Sequence, residues 1–280
     1  MSVSFSGSSR TRKEIQFVLK FHSYQRFSTI AWEYAIGVFL GDSGIGPIVR
    51  WMSPPLQSPK RGLLGRNEVA GIYIMSEKVG LSADAILYMT LVQFDKSRES
   101  HEKRYLHTIF TISKSWIEKI AGLHSLGVLH GNVSGENLVL KLKSDLKTDQ
   151  DEYLLTNFAQ ARFVCDDRIQ TSYGYRNDIF GVFKTISKWI NTRELSPKID
   201  IHTKFDLFGN TNEYNPFRLY LTMTSSTKEE IRQCLNRAMD YIYSINSGTE
   251  PLTFEILIDA IECARSAVAE SARARQTVDY

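Results

Sequence analysis

The chain has 280 residues, 42% of them apolar, and a formal net charge of +3. That is enough apolar material for sizeable cores, and too little positive charge for a general DNA- or RNA-binding protein. No run of about eighteen apolar residues occurs and Met1 to Arg12 is rich in Ser and Arg, so neither a membrane helix nor a secretory leader is expected.

In chain order, Ile15 to Phe21 alternates apolar and polar side chains, which predicts a strand carrying Lys20. Ile30, Glu33, Ile36 and Gly37 then fall at helical spacing, and Gly44-Ile45-Gly46-Pro47 ends that helix. Ile48 to Trp51 reads as a strand. Met52 to Glu68, rich in proline, glycine and basic residues, reads as a long loop. Val69 to Met75 predicts a buried strand, followed by the link Glu77-Lys78-Val79-Gly80.

From there the periodicity becomes helical. Leu106, Ile109, Phe110, Trp116, Ile117, Ile120 and Leu123 mark one face of a helix ending before His130. Leu154 and Leu155 begin a short apolar strand. Ile179, Val182, Phe183, Ile186 and Ile190 form a second stripe on a helix beginning at Asp178. Ser226 and Glu229 suggest a capping box ahead of Ile231, Leu235, Ala238 and Ile242. Phe254, Leu257, Ile258 and Ile261 head a terminal helix whose Ala/Arg-rich tail is expected to fray from residue 266. The three cysteines, Cys165, Cys234 and Cys263, have no paired spacing, which predicts free or buried thiols in a reducing compartment and no metal centre. The expected architecture is one α+β domain over 1–280, strand-rich over 1–80 and helical over 81–280, without internal repeats.

The most informative segment runs from His130 to Leu140: His-Gly-Asn-Val-Ser-Gly-Glu-Asn-Leu-Val-Leu. It is followed by Leu154-Leu155-Thr156-Asn157-Phe158-Ala159 and then by Asp178-Ile179-Phe180-Gly181-Val182. With Lys20 and Glu33 upstream, these sites resemble in order the catalytic machinery of protein kinases. The resemblance implies a bilobal fold and a role for each site. Lys20 would hold nucleotide phosphates, with Glu33 pairing to it from the helix, and Glu77 would open the hinge that binds adenine. Asn137 and Asn157 would stand at the two metal-ligand positions, Asn157 where kinases have aspartate. His130 and Phe158 would be structural, and Asp178 would brace the loop backbone. Asn132 occupies the catalytic-base position and Ser134 that of the loop lysine.

Several substitutions argue against the family's reaction. An amide cannot accept a proton near neutral pH, so Asn132 cannot act as general base. Hard divalent cations bind mainly through charged oxygen donors, which Asn157 no longer supplies. Ser6-Gly7-Ser8-Ser9 is at best a remnant of a Gly-rich loop, the stretch from Ala159 to Tyr175 is short for an activation segment, and no Ala-Pro-Glu occurs. Ile45-Gly46-Pro47 and Lys78-Val79-Gly80 resemble the casein-kinase and vaccinia-related group. His-Gly and Asp-Ile-Phe-Gly-Val resemble the mitotic-checkpoint kinases.

The expectation is therefore a pseudokinase acting as a regulatory or scaffolding module in cytoplasm or nucleus. It would bind protein partners, with either no cofactor or weak ATP that does not depend firmly on magnesium, and neither nucleic acid nor membrane. Partners would use the helical part or the basic stretch around Lys60, Arg61 and Arg66. The alternative is an atypical ATP-dependent transferase whose base is another carboxylate, with Glu136, Asp151, Asp166 and Asp167 as candidates. A kinase fold acting on a small molecule ranks last.

Overall fold

The computed structural model describes residues 2–3, 17–23, 27–61, 67–92, 99–141, 151–164, 168–191, 225–245 and 253–276. It is a mixed α+β protein with small antiparallel sheets and, among the described residues, six α-helices. The chain divides into two compact units, 1–83 with 119–178, and 84–118 with 179–280. The units are thus not the consecutive segments 1–80 and 81–280, because the strands after residue 137 rejoin the N-terminal part.

The first unit is built on a long central strand. β1 (Ser2–Val3), β2 (Phe17–Ser23), β3 (Val49–Met52), β4 (Leu56–Arg61) and β5 (Asn67–Glu77) form one sheet in the order β1-β2-β5-β3, with β4 also on β5. In the β2–β5 register Lys20 lies opposite Ile74 and His22 opposite Ile72. Because side chains alternate across a sheet, these four share a face. Against that face packs α1 (Phe27–Asp42), where Ile30 joins Ile72 and Ile74 in a core flanked by Tyr34, Val49 and Met52. The opposite face carries Phe21 and Tyr73, a cross-strand ring pair 5.2 Å apart.

The expected loop over 52–68 is corrected by β4, which pairs with β5 from Leu56↔Gly71 to Arg61↔Asn67. Proline and glycine mark breaks locally, but pairing is decided by the partner strand. Pro54 and Pro55 fall in the break between β3 and β4, and Pro59 sits on an edge strand, where a missing N–H is tolerated. Ser53 bridges the break, donating its N–H to Tyr73 O (2.8 Å) and accepting the Tyr73 N–H on its hydroxyl (2.9 Å). Lys60 and Arg61 therefore lie on a strand, while Arg66 falls outside the described residues.

A second sheet of the same unit has the order β6-β8-β9, from β6 (Val79–Ser82), β8 (Leu138–Lys141) and β9 (Tyr153–Leu155). Strands β7 (Val128–Leu129) and β10 (Arg162–Phe163) pair alone.

The second unit is helical. α2 (Ala83–Val92) enters it at Asp84, α3 (Glu99–Ser125) lies in it up to Glu118, α4 (Arg168–Asn191) lies in it from Ile179, and α5 (Ser225–Ile245) and α6 (Phe254–Gln276) complete it. Leu106, Ile109, Phe110 and Trp116 from α3 are buried, as are Val182, Phe183, Ile186 and Trp189 from α4. Trp189 donates to Asp84 Oδ1 (2.6 Å) and its carbonyl accepts the Tyr105 hydroxyl (2.9 Å), so these two aromatics are anchored at their polar ends, whereas the buried Trp116 indole N–H has no partner among the described residues.

Four further expectations are corrected. α4 begins at Arg168, so Asp178 lies well inside the helix instead of starting it. The residues from 168 to 177 show no apolar stripe but contain no proline, so nothing interrupts the helix. Ser226 lies inside α5, which begins at Ser225, instead of ahead of it; its side chain lies outside the described set, and the Glu229 carboxylate accepts from Arg232 Nε (2.8 Å) and Gln233 Nε2 (3.1 Å) on the following turn. α6 continues to Gln276 with Ala267 and Val268 buried, where a frayed tail was expected; alanine favours helix, and these two residues continue the buried face of Ala260, Ile261 and Ala264. Finally, Cys234 and Cys263 form a disulfide between α5 and α6, which sequence spacing did not suggest, and Cys165 lies outside the described residues.

Candidate functional site

The candidate site residues of the kinase resemblance, from Lys20 to Asp178, belong to the first unit, while residues 179–182 of the last motif belong to the second. The register that turns Lys20 toward α1 sets its Nζ 3.7 Å from Glu33 Oε1. Glu33 is largely covered and Lys20 is 59% exposed, so the pair is a partly solvated contact whose ammonium stays accessible to solvent. His22 lies one step along the same face. Burial first, and then the Lys20 charge, hold its imidazole pKa below the usual value.

One residue before Glu33, Trp32 donates its indole N–H to Ala161 O (2.7 Å). Its ring also meets Phe163 edge-on at 5.9 Å, and Phe163 in turn meets Phe39 at 5.8 Å. The chain just after Phe158 is thus tied to the helix that carries Glu33. Behind α1, Gly46 allows a close approach, since a Cβ there would stand 2.9 Å from the Phe158 ring. Ile45 O accepts the Leu155 N–H (2.8 Å), completing this backbone clamp.

The loop 130–137 is organised from beneath by one buried carboxylate. Asp178 Oδ2 accepts the His130 N–H (2.8 Å) and His124 Nε2 (3.0 Å), while Oδ1 accepts the Gly131 N–H (2.9 Å). Gly131 turns the chain at φ +72°, and a Cβ would stand 2.6 Å from Gln160 O, so glycine is required there.

His130 is fully buried and uses both ring nitrogens. Nε2 faces Thr156 O (3.1 Å), an acceptor, so it must carry the proton; Nδ1 accepts the Asn132 N–H (3.2 Å). The ring is therefore neutral, in keeping with a pKa lowered mainly by burial. Its centroid lies 5.3 Å from that of the Phe158 ring, the two rings tilted. His130 thus links the loop to the Asn157-Phe158-Ala159 segment.

The side chains of Asn137 and Asn157 then close on each other and on the backbone carbonyl of Asn132, forming an asparagine triad. Asn137 Nδ2 donates to Asn132 O (2.8 Å), which is acceptor only and so fixes the orientation of the Asn137 amide. Its Oδ1 accordingly faces Asn157 and accepts from Asn157 Nδ2 (3.2 Å). Asn157 itself has φ +64°, a left-handed conformation that asparagine tolerates better than most residues. The arrangement does not fit a divalent cation. A metal needs both side-chain oxygens turned toward it, whereas here one is capped by the other's N–H.

The remaining candidates take simpler places. Ser134 O accepts the Asn137 N–H (3.0 Å), closing the turn that precedes β8. Glu77 is buried, and its carboxylate accepts the Ile48 N–H (3.1 Å) while its own N–H bonds Ile48 O (2.7 Å), so its side chain is engaged with backbone. Glu136 and Asp151 are exposed, and residues 166 and 167 lie outside the described set. Sequence reasoning missed His124, Trp32 and the closed asparagine triad. The sequence shows a tryptophan next to Glu33 but not that it is exposed and reaches Ala161; His124 offered no signal. Among the described residues no group of three or more His, Cys, Asp or Glu side chains is placed to hold a metal, and no helix is long and apolar enough to cross a membrane.

No protein-family model matches the chain, and no curated protein matches it.

Proposed function

We propose that this chain is a divergent kinase-like pseudoenzyme of bilobal type that acts by binding protein partners, as a regulatory or scaffolding module of cytoplasm or nucleus. The observation that carries the reading is the asparagine triad. Asn132, at the position the resemblance gives to the general base, has no basic group, and the Asn137 side-chain oxygen, which a metal would require, accepts the Asn157 amide N–H instead. The order Lys20–Glu33 pair, His130 loop, Asn157-Phe158 turn and Asp178 brace supports the kinase-like lineage.

The retained Lys20–Glu33 pair favours a second reading, in which a nucleotide still binds. On that reading the nucleotide is either vestigial or used by an atypical ATP-dependent transferase.

A thermal-shift titration with ATP, with and without magnesium, tests the proposal. Saturation at one hundred times the dissociation constant raises stability by about 2.7 kcal/mol, which is readily seen. The expected result is a weak shift, or none, that magnesium does not change and Lys20→Ala removes. A magnesium-dependent dissociation constant in the low micromolar range, with phosphoryl transfer lost in Lys20→Ala, would establish the transferase instead.

A further inference from the structure

The helical unit holds a feature unrelated to the asparagine triad. The disulfide between Cys234 of α5 and Cys263 of α6 joins two helices that already share an apolar seam, with Ile231, Leu235 and Ala238 buried on one and Leu257, Ile261 and Ala264 on the other. The helix pair is thus held by apolar packing as well as by the bond. The bond is not sealed inside the seam. Cys234 is buried, but Cys263 is exposed, and both line a cavity of about 320 Å3 walled by Glu230, Arg237, Ser266 and Glu270.

We propose that this disulfide is a reversible redox modification site, opened by a low-molecular-weight thiol that enters the cavity and attacks Cys263. Exposed disulfides are the labile ones, because exchange requires a thiolate to reach a sulfur along the S–S axis. Among the wall residues Arg237 is the cation that can meet a carboxylate of an anionic thiol such as glutathione, and Glu230 and Glu270 can meet its ammonium group. In the first step the incoming thiolate bonds to Cys263 Sγ, the bond to Cys234 breaks, and Cys234 leaves as a thiolate that takes up a proton. In the second step another thiolate attacks the mixed disulfide and releases Cys263. The protein then holds two thiols, and two thiol molecules have been oxidised to one disulfide.

The test uses the full chain carrying Cys165→Ser, air-oxidised and then incubated with reduced glutathione under native conditions, with free thiols counted by alkylation and mass spectrometry. The expected result is that Cys234 and Cys263 become alkylatable together without denaturant and re-form their bond when oxidised glutathione replaces the reduced form. Two single variants read the direction of attack. With Cys234→Ser, oxidised glutathione should cap Cys263; with Cys263→Ser, the buried Cys234 should be capped at least tenfold more slowly. The proposal is overturned if the bond opens only in denaturant, if the oxidised chain contains no such bond, or if the two single variants are capped at equal rates.

Discussion

Replacing Asp178 by asparagine preserves the shape of the side chain and should nonetheless unseat the loop it holds. The carboxylate is 2% exposed and accepts three donors, two on Oδ2 and one on Oδ1. An amide offers one acceptor oxygen. If that oxygen takes the place of Oδ2, the new NH2 faces the Gly131 N–H, donor against donor. If it takes the place of Oδ1, both His130 N–H and His124 lose their acceptor. Each buried donor left unpaired costs about 1–3 kcal/mol, and the bonds that remain lose their charge assistance, so Asp178→Asn should cost about 2–4 kcal/mol. Asp178→Ala, which orphans all three donors, should cost about 3–5 kcal/mol. Urea unfolding followed by tryptophan fluorescence measures both, with an unchanged m-value confirming that the unfolded state is comparable. Stability within about 0.5 kcal/mol of wild type for Asp178→Asn would refute the idea that this carboxylate organises the loop.

Other consequences follow from the same site. Because burial holds the His130 pKa below its ordinary 6.5, the unfolded chain takes up its proton first; the contribution is fully present above that value and is lost as pH falls toward the folded pKa. The urea midpoint should therefore drop between about pH 7.5 and about pH 5.5, and drop less in His130→Gln; equal slopes would exclude His130 as a source. Gly131→Ala places a Cβ against Gln160 O at positive φ and should cost about 1–3 kcal/mol in the same unfolding assay. In the helical unit, Phe183→Ala should cost about 3–5 kcal/mol by opening a cavity, and a cost below about 1 kcal/mol would show that α4 is not packed as described.

The segments legible in the sequence are those whose signal is local. The stripe from Leu106 to Leu123 repeats at the helical period, and each of its apolar members is buried; the same holds for Ile179 to Ile190. Alternation over 15–21 gave the strand bearing Lys20, and its face was then set by pairing with β5. Misreadings came where local composition and tertiary partners disagreed. Proline and glycine around residue 59 masked β4, because an edge strand is made by its neighbour. The start of α4 was hidden because no apolar periodicity precedes Asp178.

Sequence order alone assembled Lys20, Glu33, His130, Asn132, Asn137, Asn157 and Asp178 into a resemblance, since motif order survives substitution. It could not reveal that Asn137 and Asn157 bond each other across 20 residues, that His124 shares Asp178 across 54, or that Cys234 meets Cys263 across 29. Side-chain chemistry names the donors and acceptors available to a chain. Which of them meet is decided only when burial and strand register bring distant segments within hydrogen-bonding or covalent reach, and that reach falls off within an ångström.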